Sequence, residues 1–225
     1  MTNKYFRQHS GCGCSGGGGS CGRSGSANCT SSGPFQAIDQ ACIVTPPGNG
    51  VTGGSIIPFS SGTIPAVLTT LVGGLVGTGS LVGFGTSVPG VSILGGAITL
   101  PLGTLALPVT EAFSVPRAGT LTAISASFTA TVLVALGSYT VNAQVYRAPA
   151  GSTTYTELVG ATVDLSPDLT GPIALAQTVQ GTATLPSIPV AAGDTLIMVF
   201  TASGTGALLD AAIITGTASA GLNIA

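Results

Sequence analysis

Five cysteines, at positions 12, 14, 21, 29 and 42, are the residues of this 225-residue chain best equipped for covalent chemistry. They lie in a bed of glycine and serine, with His9, the only histidine, just ahead of them. Zinc-binding chains pair cysteines as C-x(2–4)-C and repeat the pair, or histidine, at a matching distance. Cys12-Gly13-Cys14 is too tight for that knuckle, and no second pair completes it. Five is also an odd number, so pairing within the chain leaves a thiol over. A glycine-rich arm spans a distance that grows with the square root of its length, enough to reach a neighbouring subunit. Cys12, Cys14, Cys21, Cys29 and Cys42 are therefore read as candidates for disulfides between chains, with unpaired thiols as the other reading. Such bonds persist only in an oxidising setting.

Other chemistry finds little to work with. Nucleophilic hydrolysis needs Ser or Cys within reach of a base, normally histidine, and His9 lies outside the region that reads as a domain. Asp164 and Asp168 flank Pro167 in what reads as an exposed polar turn. Two solvated acids there make a poor glycosidase pair, and their spacing is not that of a calcium loop, which gathers six to eight oxygens. The glycine pairs end in no Gly-Lys-Ser or Gly-Lys-Thr, so none is a phosphate loop. No enzyme activity, metal or cofactor is expected.

Charge points the same way. The chain holds five Lys or Arg and seven Asp or Glu, and none of these, nor histidine, stands between Gln40 and Thr110. A soluble domain draws about a quarter of its residues from the charged set, so much of this surface must be Thr, Ser, Gly, Ala and backbone. Arg117 and Arg147 are the only basic residues after position 50, facing six acids, so no nucleic-acid footprint is present. The uncharged stretch from Thr69 onward is broken by Gly73, Gly74, Gly77, Gly79, Gly83 and Gly85, with Pro89 and Pro101 beyond. It does not read as the ~20 apolar residues of a membrane span. Lys4 and Arg7 precede no apolar run, so no secretory signal is read.

These features divide the chain into a flexible Gly/Ser/Cys-rich arm, residues 1–50, and a β-domain, residues 51–225, entered through the corner Pro46-Pro47-Gly48-Asn49-Gly50. Strands are expected at Ile56 to Ser60, within Thr63 to Val72, at Val91 to Leu100 with a hairpin-like break at Gly95-Gly96, and from Leu105 to Val115. In Thr120 to Thr129 the alternation turns Leu121, Ala123 and Ile124 towards the core and the hydroxyls outward. In Thr140 to Arg147 it turns Val141, Ala143 and Val145 in, and Asn142, Gln144 and Tyr146 out. Tyr155 to Leu165 returns as the antiparallel partner across the loop at Ala148 to Ser152. Thr195 to Thr201 is apolar on both faces, so it is either central in a sheet covered on both sides or covered by a second subunit. Residues 211–223 form the last strand. About ten short strands in this length fit an all-β antiparallel sandwich, with a jelly roll the leading topology. No Trp is present, and only seven Phe and four Tyr, so the core is expected to rest on Val, Leu, Ile and Ala. Association with other copies would supply the burial that small side chains lack. The glycine-rich region 71–96 is read as a place where backbones approach closely.

Four separated motifs then carry a resemblance. Ile56-Ile57-Pro58-Phe59-Ser60-Ser61-Gly62, the stretch from Gly73 to Gly85, the stretch from Phe113 to Ala126, and Ala218-Ser219-Ala220-Gly221-Leu222 occur in order. Over about residues 55–225 the chain resembles the C-terminal domain of the BclB-type exosporium glycoproteins of spore-forming bacteria. The resemblance implies a protein of the outermost spore layer whose β-domain is a trimeric head of tumour-necrosis-factor or C1q type. Members place a collagen-like Gly-X-Y tract before that head, and residues 1–50 show no such period. The cysteines would then take the stalk's place, linking trimers into a higher-order fibre or attaching them to other spore-surface proteins. Synthesis inside the mother cell would account for the missing export signal, with exposure on lysis. The alternative function is a C1q-like ligand-binding or adhesion module acting through loops 148–153 and 166–171.

Overall fold

The computed structural model describes residues 54–93, 95–99, 111–134, 137–171, 176–204 and 211–225. The arm with its five cysteines and His9 lies outside these residues, as does most of the strand expected from Leu105 to Val115. Twelve strands follow one another: β1 (Ser55–Ser60), β2 (Ala66–Thr69), β3 (Thr78–Val82), β4 (Ser87–Ser92), β5 (Ala97–Thr99), β6 (Phe113–Ser114), β7 (Gly119–Val134), β8 (Ser138–Ala148), β9 (Thr154–Thr170), β10 (Gln177–Val190), β11 (Thr195–Gly204) and β12 (Ile213–Ile224). Every pairing between them is antiparallel. Among the described residues no helix is long and apolar enough to cross a membrane.

The order along the ladder is β1-β12-β7-β10-β9-β8-β11-β3-β4. Only Gln180 opposite Ser166 joins β10 to β9, so the ladder curls there into two layers. Sheet one is β1-β12-β7-β10, with β2 also on β12; sheet two is β9-β8-β11-β3-β4, with β5 on β9 and β6 on β11. The pairs are nested: β1 with β12, β3 with β11, β7 with β10, β8 with β9. A chain doubled back once as a long ribbon about the β8–β9 turn, then rolled, gives this order, and that is a jelly roll.

The core between the sheets joins Phe59, Leu68, Leu121, Ile124 and Phe128 of sheet one to Val141, Leu165, Leu196, Met198 and Phe200 of sheet two. The rings of Phe128 and Phe200 face each other across it with centroids 6.4 Å apart. Val141, Ala143 and Val145 are fully buried as the alternation predicts. A second, smaller cluster covers the opposite face of sheet two, where Leu81, Val91, Ile98, Tyr146, Tyr155, Ile197 and Val199 pack together. This cluster resolves the two-faced apolar run: β11 is central, between β8 and β3, and covered on both sides by its own chain. It also corrects the outward placing of Gln144 and Tyr146, which are 7% and 4% exposed: Tyr146 packs in this cluster under Val91 and Ile98, and the Gln144 amide donates to the carbonyls of Val145 and Leu158.

Other departures have local causes. A bulge in the β7–β12 ladder between Asn223 and Ile224 shifts the phase of β7, so that Leu121 and Ile124 are buried while Ala123 is not. Gly95 and Gly96 turn the chain, but β5 pairs with β9 rather than folding back on β4. The glycine-rich stretch carries β3 and β4, and its close approaches lie within the chain: a Cβ on Gly79 would sit 2.6 Å from the Phe200 carbonyl oxygen. At Asp164 to Asp168 the chain does not turn. β9 runs through it to Thr170, and the extra residues form a bulge where Val141 opposes Leu165 and Tyr139 opposes Leu169.

Candidate assembly interface

No strand of sheet one holds an Asp, Glu, Lys, Arg or His. The charged side chains among the described residues, Glu111, Arg117, Arg147, Glu157, Asp164, Asp168 and Asp194, all belong to sheet two or to connections. Alternation gives sheet one its outer face: Phe128, Val179, Ala218 and Leu222 turn inward, which turns Ser125, Ser127, Thr129, Thr178, Gln180, Thr182, Thr217 and Ser219 outward.

The hydroxyls on that face satisfy one another. Ser125 stands opposite Thr182, Thr129 opposite Thr178 and Ser127 opposite Ser219 in the ladders, and each pair shares a hydrogen bond, at 3.1, 2.9 and 2.9 Å. Thr131 donates to the Thr215 carbonyl at 3.1 Å, and the Asn223 amide donates to the Thr122 hydroxyl at 2.7 Å. Each pair uses one of its two hydroxyl hydrogens, so a partner pressed against the face has fewer polar groups to satisfy than six separate hydroxyls would present. Gly221, an outward position with no side chain, keeps the middle of the face low, leaving a groove of about 660 Å³ walled by Ser125, Ser127, Gln180, Thr182 and Ser219. Gly181 is required where the sheet curls, because a Cβ there would lie 2.5 Å from the Asp164 carbonyl oxygen of β9.

The acids singled out from the sequence are engaged elsewhere. Asp164 Oδ1 accepts from the Asn142 amide at 2.7 Å, and the same amide reaches the Thr162 hydroxyl at 2.8 Å. Asp168 accepts from the hydroxyls of Thr140, at 2.7 Å, and Ser138, at 3.3 Å. Among the described residues no group of three His, Cys, Asp or Glu stands close enough to hold a metal ion. Arg147 lies 3.8 Å from Asp194, whose carboxylate also accepts from the Ala191 N–H and pins the β10–β11 turn. Glu111, missed in the sequence, is buried with both carboxylate oxygens 2.6 and 2.7 Å from the Thr86 hydroxyl. It occupies the space a side chain on Gly83 would need. What the sequence hid was the hydroxyl face itself: outward Ser and Thr are legible strand by strand, but not that β12, β7 and β10 lie side by side.

No protein-family model matches the chain. Collagen-like protein 1 of Acanthamoeba polyphaga mimivirus is 33% identical over 178 residues, which is 76% of this chain and 19% of that protein. The chain thus spans about a fifth of the length of this curated relative. Among solved structures, Eiger TNF from S. frugiperda aligns over 76% of this chain and 93% of its own, at 14% identity and a TM-score of 0.34. The assignment of a jelly roll rests on the strand order.

Proposed function

We propose that this chain is a structural assembly subunit whose jelly-roll domains associate into homotrimers through the outer face of sheet one. The cysteines of the N-terminal arm link neighbouring trimers or fix them to other proteins of a spore surface. The observation that carries the reading is the complete absence of charge from the strands of sheet one, where six of the outward hydroxyls bond to one another in three cross-strand pairs. Exposed sheet faces and edges of monomers are normally guarded by charge, above all by Lys. The exosporium setting rests on the motif resemblance, whose members carry a collagen-like tract; the similarity to a segment of a protein named collagen-like supports that link. No enzyme activity is proposed. A ligand-binding role through loops 148–153 and 166–171 loses half its surface, because Ser166 to Thr170 belong to β9.

Sedimentation of the full chain tests the proposal. In dilute reductant the expected species is a trimer, and in oxidant the trimers join into larger species that reductant reverses at the same dilution. Thr182→Arg with Ser219→Arg places cations on the face and is expected to give folded monomers. Wild-type monomers in reductant, or trimers that survive both substitutions, would refute the interface.

A further inference from the structure

Two exposed apolar features stand at opposite ends of sheet one. At one end the turn between β2 and β3 displays Leu71, Val72 and Leu75, 46%, 66% and 66% exposed, beside Ile213 and Val132 at 51% and 48%. Turns are usually built of polar residues, so three large aliphatics on one turn are unusual. The turn is firmly built: Leu71 N–H donates to the Leu75 carbonyl at 2.7 Å, and Gly204 N–H donates to the Gly74 carbonyl at 2.8 Å. At the other end Ile56, Phe84, Phe113, Pro116 and Ile224 line a groove of about 190 Å³, with Arg117 beside it. At ~30 Å³ per water, that is room for about six waters. Its wall is anchored to the core, since the Phe84 ring stacks on Phe59 at 5.4 Å and meets Phe113 at 6.4 Å. β12 spans the gap between the two features, with Ile213 opposite Thr69 at one end and Ile224 opposite Ser55 at the other. Its length is roughly 36 Å at ~3.3 Å per residue.

We infer that the β2–β3 turn of one copy seats Val72 and Leu75 in this groove of a second copy. The turn carries no charge, and the groove's one charged residue, Arg117, is exposed, so nothing ionic is buried unpaired. Knob and groove are different surfaces at opposite ends of the molecule, so the contact is heterologous and repeats along the strand axis as an open stack. One such contact falls short of the ~1,200 Å² at which stable interfaces begin. Three side by side in a trimer would bind as a unit, with avidity far above one contact. The inference therefore rests on the trimer proposed above.

The test uses the full chain in reductant, so that no disulfide contributes, with sedimentation and electron microscopy as readouts. Trimers are expected to stack with rising concentration at a repeat set by the domain's length. Val72→Asp with Leu75→Asp removes the knob, and Phe84→Asp removes the groove. Each, checked for an unchanged melting temperature, is expected to raise the half-stacking concentration by about tenfold or more, in line with loss of a central interface anchor. Mixing the two variants is the decisive arm: one keeps the groove and the other the knob, so they should form pairs of trimers that grow no further. Stacking that survives either substitution, wild-type trimers that never stack, or variants that ignore each other overturn the inference. Pairing that an added aliphatic alcohol in the groove does not reduce also counts against it. Failure of the trimer itself is visible separately, as monomers of every form in dilute reductant.

Discussion

At the scale of single residues, glycines and one tyrosine carry consequences that can be measured. Gly216 lets β12 lie close on β7: a Cβ there would meet the Thr129 carbonyl and stand 2.7 Å from the Phe128 ring. Gly216→Ala overpacks that site and is expected to cost about 1–3 kcal/mol, read as a lower urea midpoint at unchanged slope. Tyr146 lies in the smaller cluster with its phenol pushed above its ordinary pKa, first by burial and then by the negative charge of Glu157 opposite it in the ladder. The unfolded phenol therefore ionises first, and stability on this account is constant below about pH 10 and falls as pH rises through and beyond it. Denaturant midpoints measured from pH 8 to pH 11 should show the fall. It should shrink in Glu157→Gln and vanish in Tyr146→Phe; an identical fall in Tyr146→Phe would assign it elsewhere.

At the scale of elements, the strictness of the pattern decides how much can be read in advance. β8 was legible to the residue on its inward face because Val141, Ala143 and Val145 alternate without interruption. Its other face was misjudged because the cover comes from Val91 and Ile98, which lie some fifty residues earlier and touch it only through the fold. From sequence β9 ends at Leu165, because Pro and two Asp ordinarily mark a turn, whereas hydroxyls of β8 hold Asp168 within the sheet. β11 is the strand with most to lose, since Leu196, Met198 and Phe200 fill the main core and Ile197 and Val199 fill the smaller one. Phe200→Ala removes a fully buried ring from the contact with Phe128, and a loss of about 3–5 kcal/mol is expected in equilibrium unfolding. Ile56→Ala, at a side chain 75% exposed, should leave stability nearly unchanged by the same assay.

For the whole molecule, the partition of charge is the organising fact. All charged side chains of the described residues lie off sheet one, so a single broad face is left to hydroxyls, amides and backbone, with the aliphatics Ile56, Val132 and Ile213 towards its ends. A protein so arranged is expected to bury that face, and its oligomer should resist high salt, because no ion pairs there are open to screening. Sedimentation at about 0.1 and 1 M salt checks this: a trimer that dissociates at the higher value would mean that charge, not packing, holds the copies together. Disulfide linkage between trimers should instead follow redox potential, lost in dilute reductant while the trimer persists.

The sequence by itself settled that this is an all-β chain of two differently composed parts, because strand alternation and turn chemistry are local properties that each segment carries with it. It also settled that the domain holds no histidine and few charges, and hence which chemistries are poorly served. Which strands become neighbours was decided only by the tertiary structure, since antiparallel pairing joins residues as far apart as Ser127 and Ser219. A scatter of outward serines and threonines becomes one continuous uncharged face only once the nested ribbon has rolled. The groove and the apolar turn likewise face opposite ways only because β12 runs the full length between them.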